Sequence, residues 1–157
     1  IEKYGTLLQT DHIIDWDLHK FTLPNVNVFD EFIYTNNFFR GVGIQPYAQE
    51  VTREMSKYFD IYVVSASHFS TVPDKAEWLL EHFPHIPLKH FIPCYNKYMI
   101  RGDILVDDKF DNLINFDGER VLFDRPWNKQ YQNDELLKSH SIEVMNDWAD
   151  KVWTSWI

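Results

Sequence analysis

Apolar and polar positions alternate along this chain in a way that predicts strands separated by helices. Short apolar runs typical of buried strands occupy residues 60–65, 90–93, 104–107 and 120–123. Apolar residues recur at helical spacing in the segments around them, which predicts amphipathic helices. Strands that alternate with helices pair in parallel, so the pattern predicts an α/β fold, a three-layer Rossmann-like core with a mainly parallel sheet.

Four helices are expected around this sheet. The first covers residues 46–59, where Pro46 suits a first helical turn, and the second begins at Pro73 and ends before Pro84. A short third helix follows residue 109, and a fourth is capped by Ser141 and continues to the end of the chain. Residues 126–133 are predicted to form a polar loop. The expected core positions of these helices are Ala48, Val51, Met55, Phe59, Ala76, Leu79, Leu80, Phe83, Phe110, Leu113, Ile114, Ile142, Met145, Trp148, Ala149, Val152 and Trp156.

The first part of the chain has a different character from the rest. Residues 1–45 mix aromatic and polar residues without a period of two, which predicts short helices and loops rather than strands. We therefore expect an added helical segment over residues 1–45 and the α/β core over residues 46–157.

Composition narrows the range of functions. The chain has 157 residues and a net charge of −9, so it lacks the basic surface that a nucleic-acid polymer would require of its partner. Cys94 is the only cysteine, which excludes an intrachain disulfide and fits a reducing compartment such as the cytoplasm. No apolar run approaches the length of a membrane span, so no membrane association is expected.

Two adjacent acids follow the strand at residues 104–106. Asp107 and Asp108 lie where open α/β sheets keep their ligand crevice, and two neighbouring carboxylates repel each other unless a cation is present. Carboxylate oxygens suit a hard divalent ion such as Mg²⁺. The ordinary alternative is that Asp108 caps a helix starting near Lys109.

Two other polar residues follow predicted strands. Ser65 ends the strand that begins at residue 60, and Lys97 lies a short loop beyond the strand at residues 90–93. If these strands are parallel, both residues face the same crevice as the acid pair. A hydroxyl, an ammonium group and a metal-binding acid pair outline a phosphate site. Taken singly, Ser65 is typical of a turn and Lys97 of a solvated loop.

The order of these residues resembles the haloacid dehalogenase superfamily of phosphatases, which places a Ser or Thr after its second strand, a Lys before its fourth and an acid pair after the fourth. The likeness is closer to one branch, the 5'(3')-deoxyribonucleotidases. The segments that carry it are Asn37-Phe38-Phe39-Arg40, Pro46-Tyr47-Ala48, Lys75-Ala76-Glu77-Trp78, Asn96-Lys97, Gly102 through Asp108, and Phe123 with Pro126 and Asn128.

This resemblance implies a Mg²⁺-dependent phosphomonoesterase that acts on deoxynucleoside monophosphates through an aspartyl-phosphate intermediate. Its core would be of the superfamily type, with residues 1–45 as a small helical cap that contacts the nucleoside. The implied roles are catalytic for Lys97, Ser65 and Asp107, metal-binding for Asp108 and Asp107 with Asp103 as a weaker third candidate, and substrate-binding for Ser65, Ala66, Lys97, Phe38 and Phe39. Trp16 is a further candidate for contact with the nucleoside.

The nucleophile is the part of the pattern that the sequence does not assign to one position. The superfamily carries Asp-x-Asp after its first strand, where the first Asp attacks phosphorus and the second works as acid and base. One candidate is Asp15-Trp16-Asp17, and the other is an Asp-x-Asp upstream of Ile1, which the alignment of residues 4–18 with the cap favours. A strand must fill the centre of the sheet in either case, because unpaired buried backbone groups each cost about 1–3 kcal/mol.

Two alternatives to this function are considered. The chain could be a non-enzymatic nucleotide or phosphate binder that has lost its nucleophile, or a phosphatase of the same superfamily for another small phosphate. A homodimer fits the branch, and the sequence does not determine the preferred base or 5' against 3' selectivity.

Overall fold

The structure, a computed structural model, describes residues 10–21, 26–35 and 37–150. Its α-helices are α1 (Ala48–Met55), α2 (Val72–His82), α3 (Phe110–Ile114) and α4 (Asp134–Ser139). Its strands are β1 (Val63–Ser65), β2 (Phe91–Pro93), β3 (Ile104–Asp107), β4 (Glu119–Phe123) and β5 (Ile142–Met145). Helical turns of other types cover Thr10–His12, Leu18–Phe21, Phe29–Ile33, Phe39–Gly41, Phe69–Thr71, Leu88–His90, Lys97–Met99 and Pro126–Tyr131.

The strands of the described residues pair only in parallel, as the alternation of elements predicted. β1 pairs with β2, and Val63 lies opposite Phe91. β3, β4 and β5 form a second sheet in that order, in which Val106 lies opposite Val121. Parallel pairing sends the carboxyl ends of the strands in each sheet toward the same edge, which positions the polar residues that follow them.

The three-strand sheet is covered by helices on both faces, which gives the three layers expected of an α/β fold. Side chains alternate along β4, so Val121 and Phe123 face one side and Leu122 faces the other. Val121 and Phe123 pack with Val51 and Met55 of α1. The opposite face is covered by α3 and α4 through Phe110, Leu113, Leu136 and Leu137, which pack with Leu122.

The two-strand sheet has a core of its own. Leu79 of α2 and Phe83, the residue after α2, are 4% and 7% exposed and pack with Ala48 of α1 against Val63 and Phe91. The prediction that α2 begins near Pro73 and ends before Pro84 is confirmed. Leu80, expected in the core, is instead 47% exposed. It follows the buried Leu79 by one position, and neighbouring positions point about 100° apart around a helix.

The predicted last helix is wrong. Residues 142–145 form β5, which pairs with β4 so that Met145 lies opposite Phe123. Ser141 does not cap a helix, because its φ of 51° places it in a left-handed turn. Ile142 and Met145 are both buried, and their spacing of three resembles helical periodicity. Ala149 is exposed, and residues 152 and 156 lie outside the described residues.

Smaller differences concern where elements begin. Tyr47 has a left-handed φ of 62°, so α1 starts after it and Pro46 does not occupy the first turn. Strand geometry in the 60–65 segment is confined to Val63–Ser65. The predicted polar loop at 126–133 contains a 3₁₀ helix, Pro126–Tyr131, followed by α4. Asn133 caps α4 by accepting a hydrogen bond from the Leu136 backbone N–H at 2.8 Å.

The described part of residues 1–45 consists of short helical turns and irregular backbone, as expected. Its last stretch is held on α2 by ion pairs and hydrogen bonds. Arg40 pairs with Glu77 and Glu81, and the indole N–H of Trp78 donates to the Val42 carbonyl at 2.8 Å. The division into a cap and a core at residue 45 stays a prediction. In the parts of the chain that the structure describes, no helix has the length and apolar character needed to cross a membrane.

Candidate active site

The carboxyl end of β3 carries a buried ion pair. Asp107, only 4% exposed, accepts a hydrogen bond at 2.7 Å from the Lys97 ammonium group. Its Oδ1 atom also accepts from the backbone N–H of Lys109 at 2.8 Å, and the amide of Asn112 donates to both oxygens at 3.2 Å. Asp107 is therefore fixed by three neighbours, and its ion pair holds the Lys97 ammonium group at the carboxyl end of β3.

The carboxylate of Asp108 has a different environment from that of Asp107. It forms no ion pair among the described residues, and it is not the cap of α3, because Lys109 occupies that position. Burial raises the pKa of the Asp108 carboxyl and the charge of Asp107 raises it further, while Lys97 and Arg125 act in the opposite direction. A half-buried carboxylate beside a second one is a group that a bound cation would stabilise.

The backbone of Asp108 is tied to the next strand by Asn128. This side chain is fully buried, and its Nδ2 atom donates to the carbonyls of Asp108 at 2.9 Å and Phe123 at 2.8 Å. Its Oδ1 atom accepts from the Arg125 backbone N–H at 3.1 Å. Asn128 thus joins the ends of β3 and β4 and sets the position of the acid pair.

Ser65 lies at the carboxyl end of β1, next to a second lysine. The Lys75 ammonium group donates to Ser65 Oγ at 3.0 Å, Ser67 Oγ at 3.0 Å and the Ala66 carbonyl at 3.1 Å. It also lies 4.2 Å from the centre of the Phe39 ring. Burial lowers the pKa of Lys75 to about 8, and the nearby charge of Lys97 contributes.

Hydrogen bonds, an ion pair and one electrostatic interaction connect the three predicted segments. Ser65 bonds to Lys75, the charge of Lys97 acts on Lys75, and Lys97 pairs with Asp107. The Cys94 backbone N–H also donates to the Ser65 carbonyl at 2.9 Å, which joins the ends of β1 and β2. Ser65, Lys97 and the acid pair are therefore brought together.

The aromatic residues expected near the substrate divide into two kinds. Phe39 is half-buried beneath Lys75, whereas Phe38 is 41% exposed and meets Phe39 edge to face at 5.1 Å between ring centres. Trp16 packs edge to face on Trp127, with 5.6 Å between their centres. Phe39 and Trp16 thus contact protein, and Phe38 is the more accessible of the two adjacent phenylalanines.

Two weaker candidates are excluded from this site. Asp103 precedes β3, so it lies at the opposite end of that strand from Asp107, about 13 Å away at the rise of an extended chain. Asp15 follows a 3₁₀ helix rather than a strand, and its carboxylate is bound by the Lys20 ammonium group and the Asp17 backbone N–H. Asp15 therefore does not occupy the position of a nucleophile at a strand end.

The donor set fits a hard divalent cation. Within residues 10–21, 26–35 and 37–150, no group of three or more His, Cys, Asp or Glu side chains is arranged to hold a metal. Asp108 offers carboxylate oxygens, whereas both oxygens of Asp107 beside it already accept from Lys97, Lys109 and Asn112. Mg²⁺ commonly takes one or two protein carboxylates and completes its octahedron with water and substrate phosphate, so this smaller set suffices.

Comparison with known proteins agrees with this geometry. A family model described as "5' nucleotidase, deoxy (Pyrimidine), cytosolic type C protein" matches residues 1–150. The chain belongs to this nucleotidase family. It is a hydrolase of the 5'(3')-deoxyribonucleotidase type, within the haloacid dehalogenase superfamily that its motifs resemble.

Two bacterial relatives of the nucleotidase carry the same name. A 5'(3')-deoxyribonucleotidase of Clostridium acetobutylicum is 38% identical over 130 residues, which cover 82% of this chain and 72% of the relative. The enzyme of that name from Bacillus subtilis is 36% identical over 145 residues, which cover 91% of this chain and 78% of the relative. A family of this type implies a divalent metal ion, in agreement with the acid pair.

The structure of the nucleotidase adds residues that the sequence did not assign to the site. Lys75, Asn112, Arg125 and Asn128 each touch or influence Ser65 or the acid pair. Lys75 and Asn128 occur in segments that carry the family resemblance, and this was their one visible signal. Nothing in the spacing of the sequence indicates which atoms they contact.

Proposed function

We propose that this nucleotidase is a Mg²⁺-dependent phosphomonoesterase that removes phosphate from deoxynucleoside monophosphates through an aspartyl-phosphate intermediate. One observation carries the proposal: a buried Lys97–Asp107 pair at 2.7 Å holds an ammonium group whose charge acts on Asp108 and on Lys75, the lysine that bonds to Ser65. Two cations, a hydroxyl and a desolvated carboxylate at one strand edge suit a small phosphorylated ligand.

Each residue has a role that follows from its contacts. Lys97 places a positive charge against the phosphoryl group. Asp107 fixes the direction of that charge, because its carboxylate is itself held by the Lys109 backbone N–H and the Asn112 amide. The Ser65 hydroxyl donates to a phosphoryl oxygen, and the backbone at Ala66 lines the same place. Asp108 would hold the metal ion. When bound, Mg²⁺ would offset phosphate charge and polarise phosphorus for attack.

The nucleophile of the proposed mechanism is an aspartate that displaces the alcohol from phosphorus, after which water hydrolyses the acyl phosphate. The bond from phosphorus to the ester oxygen breaks, and a second acid protonates the departing alcohol. The contacts of Asp15 do not suit a nucleophile, so the positions of both acids stay a prediction of the family resemblance.

Substrate contact falls to the more accessible aromatic residue. Phe38 presents 41% of its surface, whereas Phe39 is occupied beneath Lys75. We therefore assign Phe38 to the nucleoside and Phe39 mainly to packing, with only its edge toward the ligand. A cytoplasmic location and a homodimer, both expected from the sequence, stay predictions.

The test is a panel of phosphomonoesters assayed with the full-length protein at increasing Mg²⁺. Deoxynucleoside monophosphates should be hydrolysed with metal dependence, and Lys97→Ala should lose most of the turnover, by about 100-fold or more. Lys57→Ala is the matched control, because Lys57 pairs with Glu54 on the surface.

The other outcomes select between the alternatives. Metal-dependent binding of nucleotides without turnover would favour a phosphate-binding protein that lacks its nucleophile. Turnover confined to other phosphate esters would favour a related phosphatase. Wild-type rates in Lys97→Ala would contradict the site itself.

A further inference from the structure

Lys75 is a charged group next to the proposed phosphate site to which the mechanism above gives no step. It lies in the first half of α2, and its ammonium group reaches back to the loop after β1. An ammonium group has three N–H donors and no acceptor. All three donors have acceptors here, namely Ser65 Oγ, Ser67 Oγ and the Ala66 carbonyl, at 3.0–3.1 Å. In this arrangement Lys75 has no N–H left for a ligand.

The orientation of the neighbouring hydroxyls follows from this. The Ser67 hydroxyl accepts from Lys75 and donates to the Ser65 carbonyl at 3.2 Å. Ser65 Oγ also accepts from Lys75, so its own hydrogen must point away from the ammonium group. In the described part of the chain that hydrogen has no acceptor, and it is available to an anion at the edge of β1.

We propose that Lys75 is a positioning residue, which acts through Ser65 by fixing the Ser65 hydroxyl as a hydrogen-bond donor toward the phosphoryl group. This inference rests on the proposed phosphatase function and adds a residue to it. The ring of Phe39, 4.2 Å from the Lys75 nitrogen, covers a side of the ammonium group and restricts its position.

The electrostatics of Lys75 agree with this role. The ammonium group is half-buried, and both desolvation and the charge of Lys97 disfavour its protonated form, which lowers its pKa to about 8. A phosphate dianion would relieve the repulsion between Lys75 and Lys97, so ligand binding and the charge of Lys75 are expected to favour each other.

The experiment is a double-mutant cycle with Ser65→Ala and Lys75→Met in the full-length protein. The readouts are kcat and KM for a deoxynucleoside monophosphate and the inhibition constant of inorganic phosphate. Lys75→Met keeps the length of the side chain and removes the donors. In wild type it should lower kcat/KM by about 30-fold to 100-fold, because a misdirected group costs this much. In the Ser65→Ala background the same change should cost less than about threefold.

Two control variants complete the cycle. Ser67→Ala removes another Lys75 acceptor but leaves the bond to Ser65, so it should cost less than about fivefold. Lys89→Met removes a lysine from the exposed surface and should leave the kinetics unchanged. If Lys75→Met does not fold, the cycle is run with Lys75→Arg, which keeps the charge but has a planar fork in place of the three diverging donors.

The outcomes separate the two proposals. Equal losses from Lys75→Met with and without Ser65 would overturn the positioning role while leaving the phosphatase intact. A lack of phosphomonoesterase turnover in wild type would refute the proposed function. In that case the double-mutant cycle is measured with the affinity for inorganic phosphate. If Lys75→Met then weakens phosphate binding equally with and without Ser65, the positioning role of Lys75 is also overturned.

Discussion

Replacement of Asn128 by alanine tests how the acid pair is held in place. The side chain is fully buried and makes four hydrogen bonds, two to backbone carbonyls, one from the Arg125 backbone N–H and one from Gln132. Asn128→Ala removes all four and leaves the Phe123 carbonyl without this donor in a buried place. An unsatisfied buried group costs about 1–3 kcal/mol, and the part-buried partners cost less because water reaches them.

With the small cavity included, we expect Asn128→Ala to lower the free energy of unfolding by about 4 kcal/mol. This is a large fraction of the total for a domain of this size, about 5–15 kcal/mol. The assay is urea unfolding followed by tryptophan fluorescence, with the midpoint and slope fitted together. The fitted slope should stay unchanged, since the mutation alters the folded state rather than the surface exposed on unfolding.

Two further variants identify the atom responsible. Asn128→Asp keeps the size and the acceptor but replaces the amide donor with an oxygen that repels the Asp108 and Phe123 carbonyls, so it should destabilise at least as much. Asn115→Ala is the matched control, because Asn115 is exposed and donates once, to the Asp111 carbonyl at 3.0 Å. A loss of less than about 1.5 kcal/mol in Asn128→Ala, or a loss no greater than that of Asn115→Ala, would refute the reasoning.

Three further predictions concern the sheet, the ion pair and pH. Gly118→Ala would place a Cβ against the Asp103 backbone carbonyl and should lower the free energy of unfolding in urea by about 2–3 kcal/mol. Gly102→Ala is the control, because its Cβ would meet the Phe116 ring at 3.6 Å and should cost under about 1 kcal/mol. Lys97→Met should lower the free energy of unfolding by about 2–4 kcal/mol, because it leaves the buried Asp107 carboxylate without its cation. Adding Asp107→Asn should restore most of the lost stability, and a double variant no more stable than Lys97→Met would contradict the reasoning. Burial lowers the pKa of His85 below 6.5, so the unfolded chain binds a proton at this imidazole more readily than the folded chain does. Wild type should therefore lose stability relative to His85→Gln as pH falls below 6.5, and parallel plots of unfolding free energy against pH for the two proteins would contradict this.

The positions that sequence reasoning predicted correctly are those set by local pattern. Ser65 and Asp107 each end a short apolar strand, and in a parallel sheet such a residue lies at the carboxyl edge of its own sheet. The helix at Pro73 is equally local, because proline fixes a first turn and a later proline stops the helix. The α/β class and parallel pairing follow from the order of these elements.

The residues that were missed depend on proximity in space. Lys75 is ten positions from Ser65, and Asn128 is twenty from Asp108. Neither separation has a periodicity that a sequence pattern can detect. The last strand shows the same limit, because Ile142 and Met145 lie three positions apart and match a helix as well as a strand buried only at its ends. Pairing with β4 decides between them, and pairing is a tertiary effect.

The distribution of charge explains how an acidic protein can serve a phosphorylated substrate. The chain carries a net charge of −9, yet Lys75, Lys97 and Arg125 lie close to one edge of the fold. Local cations attract a phosphate group that enters the crevice, whereas the acidic outer surface repels an anion that is too large to enter. We therefore expect the site to favour a small phosphate ester over a polynucleotide, because a polymer would bring many phosphates against the acidic surface for each one that reached Lys97.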